Sequence, residues 1–398
     1  MRILIVAERF WPEVGAAPTR LANLACGLIK KGQEVDVLTC LPNYPKGRIF
    51  EGYRHRLWKK EEYKGATLFR MWTYASVSKK PLARIAGMFS FALTMWLFAF
   101  RIGRIRKYDR VIIQTPTLVS AKSAMRLFHG LYRKKCVLNV SDIWPSTAVD
   151  LGAIREGSAS YKYLLGCERY LYKKADAIMG QSQEILSHIA AFDKRPDRLF
   201  LYRNLPTLLP EGKEKVRQEP MKLVFSGMLG VAQNVAAIVR EVPFEKLGVE
   251  FHILGGGAQY DEICAYIESH PGCNVFAHGF VEKEKMPEWL AQYDASIVPL
   301  TTRIRGAVPS KIYDILPYGL PIIFCGEGEA ASIIQDNCLG LVCPSSDFEA
   351  LTDRIKTLKD MSMEDFQTLR NNCIAFSQAS LNFDKQMKEC LSFLKSEN

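Results

Sequence analysis

Motifs that mark many metalloenzymes, hydrolases and nucleotide-hydrolysing proteins are missing from this 398-residue sequence. It contains no D-x-D and no H-E-x-x-H, so it offers no pattern for an obligatory metal site. It has no G-x-S-x-G turn and no Walker A loop, which disfavours serine hydrolases and P-loop NTPases. The absence of G-x-G-x-x-G disfavours an ordinary NAD-dependent enzyme. We therefore expect a protein that uses neither a metal nor another cofactor.

Paired cysteines are also missing. The 11 Cys are scattered singly with no C-x-x-C, which excludes zinc ribbons and disulfide scaffolds and is typical of reduced thiols. The N-terminus lacks the long apolar stretch and the small-residue cleavage site of a secretory signal. Both features predict a cytoplasmic protein, and the length predicts two or three domains with ample core.

Acidic residues are scarce in the first half of the chain. Residues 1–205 hold 35 Lys and Arg against 16 Asp and Glu, whereas the remainder holds 18 against 26. The positive charge therefore belongs to one lobe, which predicts an anionic partner for that lobe only. Nucleic acid is a poor candidate, because the sequence has no RNP-like motif and no zinc knuckle.

One uncharged apolar run, residues 85–100, lies within the basic stretch 46–110. As a helix it would be about 24 Å long, shorter than the roughly 30 Å hydrocarbon core, so a clean transmembrane span is not expected. A narrow polar stripe that includes Ser90 and Thr94, with basic residues at both ends, predicts a helix lying on an anionic membrane surface. The alternative is a core helix of a two-layered domain. The residues expected to contact membrane or acceptor are Arg84, Phe89, Trp96, Phe100 and Arg101, with further cations at Lys79, Lys80, Arg104, Arg106 and Lys107.

Strand-like and helix-like runs alternate from the start of the chain, which is the pattern of a doubly wound parallel sheet. A helix is predicted from Thr19 to Gly32. Residues 1–205 thus form one α/β domain, and the polar, proline-bounded segment 206–220 is predicted to be an interdomain linker. The predicted strands of this domain are 2–7, 34–40, 110–116, 136–142, 177–182 and 199–204.

The alternation restarts after the linker and predicts a second, similar domain over residues 221–375. A helical tail over 376–398 is predicted to return to the first domain. Two doubly wound lobes place a ligand cleft between them, at the carboxyl ends of both sheets. The predicted strands of the second domain are 222–227, 250–257, 274–279, 295–300, 321–326 and 339–344.

Small residues follow the first strand of each domain. Gly15 precedes the first helix, where backbone N–H groups and the helix N-terminus can approach a phosphate or a sugar. The alternative is that a strand-to-helix turn needs a small residue for geometric reasons alone. In the second domain Gly227 and Gly230 precede a predicted helix that carries Gln233, which makes a second candidate phosphate loop.

The densest cluster of candidate site residues is the block VPSKIYD at 308–314. Ser310 suits a helix start, Lys311 lies in the first turn, and Asp314 follows one turn later. An ammonium beside a helix N-terminus suits a diphosphate, and a carboxylate can accept two hydrogen bonds from ribose hydroxyls. The alternative is a capped helix with a surface Lys and Asp. The loop that ends at Glu329 is another place where backbone approaches a ligand.

Asp142 in the first domain ends a predicted strand, in the sequence SDIWP. Strand ends are where α/β folds keep reactive groups, so Asp142 is a candidate for orienting an acceptor hydroxyl. The alternative is that Asp142 caps the next turn.

Four segments together resemble the family 4 glycosyltransferases of GT-B fold. They are FWPEVGAAPTRLANLACGL, LPNYPKG, SDIWP and AVPSKIYDILPYGLPII. The resemblance covers nearly the full length and is greatest to enzymes of bacterial O-antigen and capsule synthesis, including fucosamine and N-acetylfucosamine transferases. It implies retaining, metal-independent transfer from a nucleotide sugar to a polyprenyl diphosphate-linked saccharide at the inner face of the cell membrane.

The same resemblance assigns roles to individual residues. Lys311 would neutralise the donor diphosphate, and Asp314 would stand where the family has a Glu that holds the ribose. Gly15 would approach the diphosphate, while Gly227 and Gln233 would line the same cleft. The sequence departs from the family at Gly306, where the family has an acid, and in the loop after the first strand of the second lobe, where it lacks the usual Arg and Lys. Arg303 or Arg305 is the candidate replacement for that positive charge.

Two readings from other classes stay open. One is a GT-B-shaped sugar-nucleotide 2-epimerase, which the apolar segment 85–100 disfavours. The other is a non-catalytic partner that binds a nucleotide sugar within a polysaccharide assembly complex, which the departure at Gly306 allows.

Overall fold

The computed structural model describes residues 1–44, 47–77, 81–101, 105, 107–193, 195–210, 216–282 and 284–396, and within 81–101 the side chains of 81–85, 88, 100 and 101 are not described. The chain divides into two compact units. The first unit comprises Met1–Asn204 and Asp384–Asn398, and the second comprises Leu205–Phe383.

The first unit is built on a sheet that has eight strands over the described residues, in the order β3-β4-β2-β1-β5-β6-β7-β8. All pairings are parallel except that of β3 with β4. The central strands are continuous apolar runs because helices cover both faces of a doubly wound sheet. The strands are β1 (Arg2–Val6), β2 (Glu34–Cys40), β3 (Trp58–Tyr63), β4 (Ala66–Met71), β5 (Arg110–Gln114), β6 (Lys135–Val140), β7 (Ala177–Gly180) and β8 (Leu199–Leu201).

Six α-helices of the first unit precede the second unit in the described chain. They bury apolar stripes against the sheet, and the core on one face includes Leu4, Phe98, Ile113 and Leu138. The helices are α1 (Ala16–Lys30), α2 (Pro81–Arg101), α3 (Leu118–Met125), α4 (Ser146–Asp150), α5 (Ala159–Lys174) and α6 (Gln183–Phe192). Across the described residues, no helix is both long enough and apolar enough to span a membrane.

The strands β3 and β4 were not predicted from the sequence. They form an antiparallel hairpin whose turn residues Lys64 and Gly65 both have positive φ, 47° and 87°. Such a turn matches the right-handed twist of a hairpin. Strand β3 lies at the sheet edge and reads WKKEEY, and its charged residues are typical of an edge strand that avoids pairing with other chains.

The second unit has an all-parallel sheet in the order β11-β10-β9-β12-β13-β14 over the described residues. Its strands are β9 (Met221–Ser226), β10 (Val249–Leu254), β11 (Val275–Gly279), β12 (Ala295–Pro299), β13 (Ile322–Cys325) and β14 (Gly340–Cys343). Its helices are α7 (Val235–Glu241), α8 (Phe244–Leu247), α9 (Tyr260–Ser269), α10 (Met286–Leu290), α11 (Ser310–Ile315), α12 (Glu329–Asp336), α13 (Phe348–Asp360) and α14 (Met363–Ser380).

The last helix, α15 (Phe383–Lys395), packs in the first unit almost along its whole length. Met387 fills the space that the missing side chain of Gly27 leaves, with its Cγ only 2.8 Å from where a Cβ would lie. The Gln386 amide accepts from Arg203 N at 3.0 Å and donates to Arg203 O at 3.1 Å. Residues 376–383, which the sequence placed in the tail, lie in the second unit because Phe376 and Leu381 pack in its core.

Two predicted helix bounds were wrong. Helix α1 begins at Ala16 and not at Thr19, because Pro18 is tolerated in a first turn, where its missing N–H needs no acceptor. Gln233 precedes helix α7, which begins only at Val235. Asn234 adopts the left-handed conformation, with φ 45°, and so sets the start of that helix.

Candidate functional site

Lys311 carries a buried ammonium in the second unit, although the residue as a whole is half-buried. It follows Ser310 at the start of α11, and its Nζ lies 3.9 Å from the centroid of the Phe225 ring. Among the described residues no acceptor lies within hydrogen-bond distance of this fully buried Nζ. Burial lowers the pKa of Lys311 to about 7, and the charge of Asp314 opposes that shift. A desolvated charge without a partner is costly, so this geometry suits an anionic ligand.

Glycines bring the strand ends of the second unit close to Lys311. Gly227 has φ +132°, and a Cβ there would lie 2.4 Å from Lys311 Cε. A Cβ on Gly255 would lie 1.8 Å from Gly227 O, and one on Gly257 would lie 2.5 Å from Leu229 O. Only glycine permits these approaches. The sequence pointed to Gly227 but missed Gly255 and Gly257, although the GGG run at 255–257 was a usable signal.

The other predicted residues of the second unit are spread around these loops. Gly230 and Gln233 lie together, since Gln233 N donates to Gly230 O at 3.1 Å, and Gln233 borders a crevice with Thr301 and Ser346. Asp314 is exposed one turn after Lys311. Three further predicted residues take positions at loop and helix ends: Arg305 is exposed, Ser310 is half-buried as the first residue of α11, and Glu329 is half-buried as the first residue of α12.

Gly15 in the first unit is the N-cap of α1 and has φ +150°, a conformation that favours glycine. The loop before it is held in place by Glu13, which is buried. The Glu13 carboxylate accepts from the backbone N of Asn43 and Tyr44 at 2.9 Å and from Phe10 N at 3.3 Å. The segments FWPE and LPNYPKG are therefore joined by one carboxylate, which fixes the backbone that leads to Gly15.

Asp142 follows β6 at the carboxyl end of the sheet and is partly accessible. Its carboxylate makes no hydrogen bond with the described residues, so the alternative that it caps the next turn is wrong. Burial raises the pKa of Asp142, and the positive charge of Arg20 opposes this shift. A carboxylate with free acceptor capacity at a strand end is suited to hold a ligand hydroxyl.

Arg20 is a residue that the sequence reasoning missed. It lies on the buried side of α1, and burial lowers its pKa to about 10. Its guanidinium donates to Ser141 Oγ at 2.8 Å, Asn139 Oδ1 at 3.0 Å, Gln181 Oε1 at 3.4 Å and Gln114 Oε1 at 3.5 Å. These acceptors are neutral, so the cation is fixed in place and its charge acts on nearby Asp142. No sequence signal separates such an Arg from a surface one.

Glu8, two residues after the end of β1, was also missed. Burial raises the pKa of its carboxyl to about 7, and the Ser120 hydroxyl donates to it. Glu8 thus places a carboxyl with a raised pKa just beyond the end of the first strand, and perturbed pKa values are typical of functional sites.

Helix α2 exposes an apolar row rather than a polar one. Phe89, Leu93 and Leu97 are 50%, 68% and 61% exposed and follow each other at intervals of four residues. This spacing places them on one side of the helix. Phe89, which is expected to contact membrane or acceptor, therefore lies on an exposed apolar face that Leu93 and Leu97 extend.

The polar stripe of α2 faces the protein. Ser90 Oγ accepts from Tyr74 N at 2.9 Å, and Thr94 Oγ1 donates to Trp72 O at 3.0 Å. The placement of Trp96 on the outer face was wrong, because its indole N–H donates to Ser123 at 2.9 Å and its ring packs on the core. Backbone groups of the 72–74 segment need partners, which explains the inward polar residues. Lys107 is exposed, while Lys79, Lys80, Arg104, Arg106 and the side chains of Arg84, Phe100 and Arg101 lie outside the described residues.

The fold has counterparts among solved structures. The chain resembles sucrose-phosphate synthase from Thermosynechococcus elongatus with a TM-score of 0.71 and 15% identity, over 98% of this chain and 97% of that one. HepE of Anabaena in complex with UDP-glucose gives a TM-score of 0.69 and 16% identity over 98% and 99%. WaaG, a glycosyltransferase involved in lipopolysaccharide biosynthesis, gives 0.65 and 12% over 99% and 100%. The two Rossmann-like units thus form a GT-B fold, as the sequence predicted.

Two family matches specify the class further. Residues 15–204 match the family described as glycosyl transferase 4-like domain, and residues 220–360 match glycosyl transferases group 1. The chain is therefore a glycosyltransferase of GT-B fold. No curated protein sequence matches it.

Proposed function

We propose that the protein transfers a sugar from a nucleotide-diphosphate donor to a polyprenyl diphosphate-linked saccharide, in the synthesis of a bacterial surface polysaccharide of the O-antigen or capsule type. The observation that carries the donor assignment is the buried ammonium of Lys311. This ammonium lies beside Gly227 and has no hydrogen-bond acceptor among the described residues. A diphosphate supplies the negative charge that this cation needs. HepE, which shares the fold, was solved with UDP-glucose, and this supports a nucleotide sugar as donor. The motif resemblance favours a fucosamine or N-acetylfucosamine donor.

The proposed reaction proceeds with retention and without a metal. The bond between the sugar and the diphosphate breaks while the acceptor oxygen bonds to the same carbon on the same face, and the acceptor proton passes to the leaving diphosphate. Lys311 stabilises the charge that develops on the diphosphate, which is electrostatic catalysis by a preorganised group. Asp142 orients the acceptor hydroxyl, and Arg20 favours the ionised form of that carboxylate.

The proposed location is the inner face of the cell membrane, with the protein bound peripherally. The apolar row Phe89, Leu93 and Leu97 supplies the area that would enter the lipid boundary. The excess of Lys and Arg over acids in residues 1–205 supplies attraction to anionic headgroups.

The proposal is tested by incubating the purified protein with UDP-, GDP- and dTDP-sugars and a polyprenyl diphosphate-linked monosaccharide, and by measuring lipid-linked product by mass spectrometry. We expect one donor to extend the lipid, and Lys311→Ala to abolish product. Lys246→Ala, an exposed lysine of the same unit, is the matched control and should keep full activity. Product formation should persist in EDTA, which tests the transfer without a metal. The anomeric coupling constant of the new linkage, measured by NMR, should indicate the same anomeric configuration as that of the donor, which tests retention.

The alternatives give different outcomes in the same assay. A 2-epimerase would convert the donor sugar without any lipid-linked product. A non-catalytic partner would bind the nucleotide sugar and leave it unchanged. Either result, obtained with folded protein and the correct donor, would overturn the transferase proposal.

The role of Asp142 has its own test. Asp142→Asn keeps the shape of the side chain but removes its charge, so we expect a lower kcat with an unchanged Kd for the donor. Asp150→Asn, a partly exposed residue at the end of α4, is the control. Equal kcat values for Asp142→Asn and wild type would remove Asp142 from the proposed mechanism.

A further inference from the structure

A pocket of about 540 Å³ lies in the first unit, between the loops that follow β2 and β4. Its size falls in the range of small-molecule sites. Trp72 and Tyr74 contribute aromatic walls and are 38% and 42% exposed. The residues that line it are Arg48, Ile49, Arg54, Trp72, Thr73, Tyr74 and Ala75.

The walls of the pocket are fixed by the fold. Gly47 has φ +64°, and a Cβ there would lie 2.6 Å from Ser76 O, so only glycine lets the two loops approach this closely. The second loop is fastened to α2 by the bonds that Ser90 and Thr94 make with the backbone of Tyr74 and Trp72. Trp72 N also donates to Leu57 O at 2.9 Å. The aromatic walls are therefore preorganised rather than borne on loose loops.

The charge of the pocket has one sign. Among the residues that the structure describes, the charged side chains that line it are Arg48 and Arg54, and none of the lining residues is acidic. Within the described part of the chain, neither guanidinium is in salt-bridge distance of a carboxylate, and Arg54 donates only to Ile49 O at 3.5 Å. Two guanidiniums next to aromatic faces suit a ligand that has both an anionic group and a flat, weakly polar ring face.

We propose that this pocket binds an acidic saccharide. The ring of the sugar stacks on Trp72 or Tyr74, and its carboxylate or phosphate takes hydrogen bonds from Arg48 and Arg54. The inference rests on the proposed function, because it assigns a charge to the acceptor of the transfer. A neutral glycan would leave both exposed guanidiniums hydrogen-bonded to water and gain no charge-assisted bond, so the pocket favours an anionic saccharide.

The position of the pocket fits an acceptor subsite. The loops after β2 and β4 leave the same edge of the sheet as Asp142, since β1, β2, β4, β5 and β6 all run parallel. The ends of β2 and β4 lie three and four strand spacings from the end of β6, which Asp142 follows, so the pocket is about 14–19 Å from Asp142. A short oligosaccharide spans this distance. The acidic group recognised in the pocket therefore lies some residues away from the hydroxyl that reacts.

The test measures binding to the full-length protein by titration calorimetry, without donor. The probes are a tetrasaccharide that contains glucuronic acid, the same tetrasaccharide with its carboxyls reduced, and a farnesyl diphosphate-linked monosaccharide. The variants are Arg48→Gln with Arg54→Gln, and Trp72→Leu. Arg56→Gln is the matched control, because Arg56 is exposed on the same loop but does not line the pocket.

We expect the glucuronic acid probe to bind, and both the reduced probe and the double Arg variant to bind about tenfold more weakly. Trp72→Leu should weaken binding further, while Arg56→Gln should match wild type. If only the farnesyl diphosphate probe binds, with the same dependence on Arg48 and Arg54, the anionic group is the phosphate at the lipid linkage. An equal affinity of the glucuronic acid probe for the double Arg variant and for wild type would overturn the inference. The absence of binding of any probe by folded protein would overturn it as well. Retained binding of UDP in a parallel titration separates that failure from a failure of the donor assignment.

Discussion

At the scale of single residues, Lys311 couples donor binding to pH. Burial lowers its pKa to about 7 in the free protein, and a bound diphosphate would raise that pKa by favouring the charged form. Binding therefore takes up a proton at any pH between the two values. We expect the Kd for UDP to increase as pH rises from about 7, with a limiting slope of about tenfold per pH unit. Titration calorimetry in buffers of different ionisation enthalpy measures both the Kd and the proton uptake.

Lys311→Arg provides the control for this prediction. Arg stays charged over the whole range, so the variant should lose the proton uptake even if its affinity is weaker. A Kd for wild-type protein that stays constant from about pH 6 to about pH 9 would show that Lys311 does not titrate in donor binding.

Gly227 offers a second test at the residue scale. Gly227→Ala places a methyl group against Lys311 Cε and forces a side chain into φ +132°, so we expect weaker UDP binding together with lower stability. Gly272→Ala is the matched control, because Gly272 also has positive φ, +89°, in the same unit but has nothing within 4 Å of its added Cβ. Calorimetry reports UDP binding, and thermal unfolding reports stability. If both variants lose stability and neither loses affinity, Gly227 matters for folding alone.

Sequence reasoning found some residues of the candidate site and missed others for a physical reason. Lys311 was found because its place in the P-S-K-x-x-D block follows local rules of helix starts. Arg20 and Glu8 were missed because what distinguishes them from surface residues is burial, which shifts the pKa of both groups. Arg20 gains its role from partners 94 to 161 residues away in sequence, and Glu8 from Ser120, 112 residues away.

At the scale of elements, the outer face of α2 is the feature to test. Leu93→Asp puts a charge in the middle of the exposed apolar row, so we expect the membrane-bound fraction to fall in vesicle sedimentation with anionic lipid. Leu208→Asp is the control, because Leu208 is 85% exposed and lies outside α2. Binding of the wild type should also weaken as salt is raised, since headgroup attraction is screened. If Leu93→Asp sediments with vesicles as the wild type does, the exposed apolar row does not contribute to membrane binding.

The hairpin β3–β4 and the polar residues of α2 show where element-level prediction failed. Strands such as β1 and β2 were predicted because buried apolar runs stand out from their surroundings. Strand β3 is half-exposed and rich in Lys and Glu, so it has no such signal. A helix over 85–100 was predicted from its apolar content, and the structure extends it to 81–101. The direction of its faces depended on the backbone of segment 72–74, which needed hydrogen-bond partners.

At the scale of the whole molecule, the chain ends in the first unit although it has passed through the second. Helix α15 buries Met387, Cys390 and Leu394 there. Truncation after Phe383 should therefore expose part of the first core and lower the hydrogen-exchange protection of peptides from α1 and β8. Peptides from the second unit provide the internal control and should keep their protection. Equal protection of the first unit in the truncated and full-length chains would show that α15 does not stabilise it.

The sequence by itself determined the GT-B fold, most strand positions and the Lys311 block, because these depend on local periodicity, turn residues and helix-start signals. The tertiary structure alone decided that the Lys311 ammonium is buried with no acceptor among the described residues, that Arg20 and Glu8 are desolvated, and that α2 turns its apolar row outward. These properties depend on desolvation and on contacts between residues far apart in the chain. Only the folded chain brings such groups together and removes water from them.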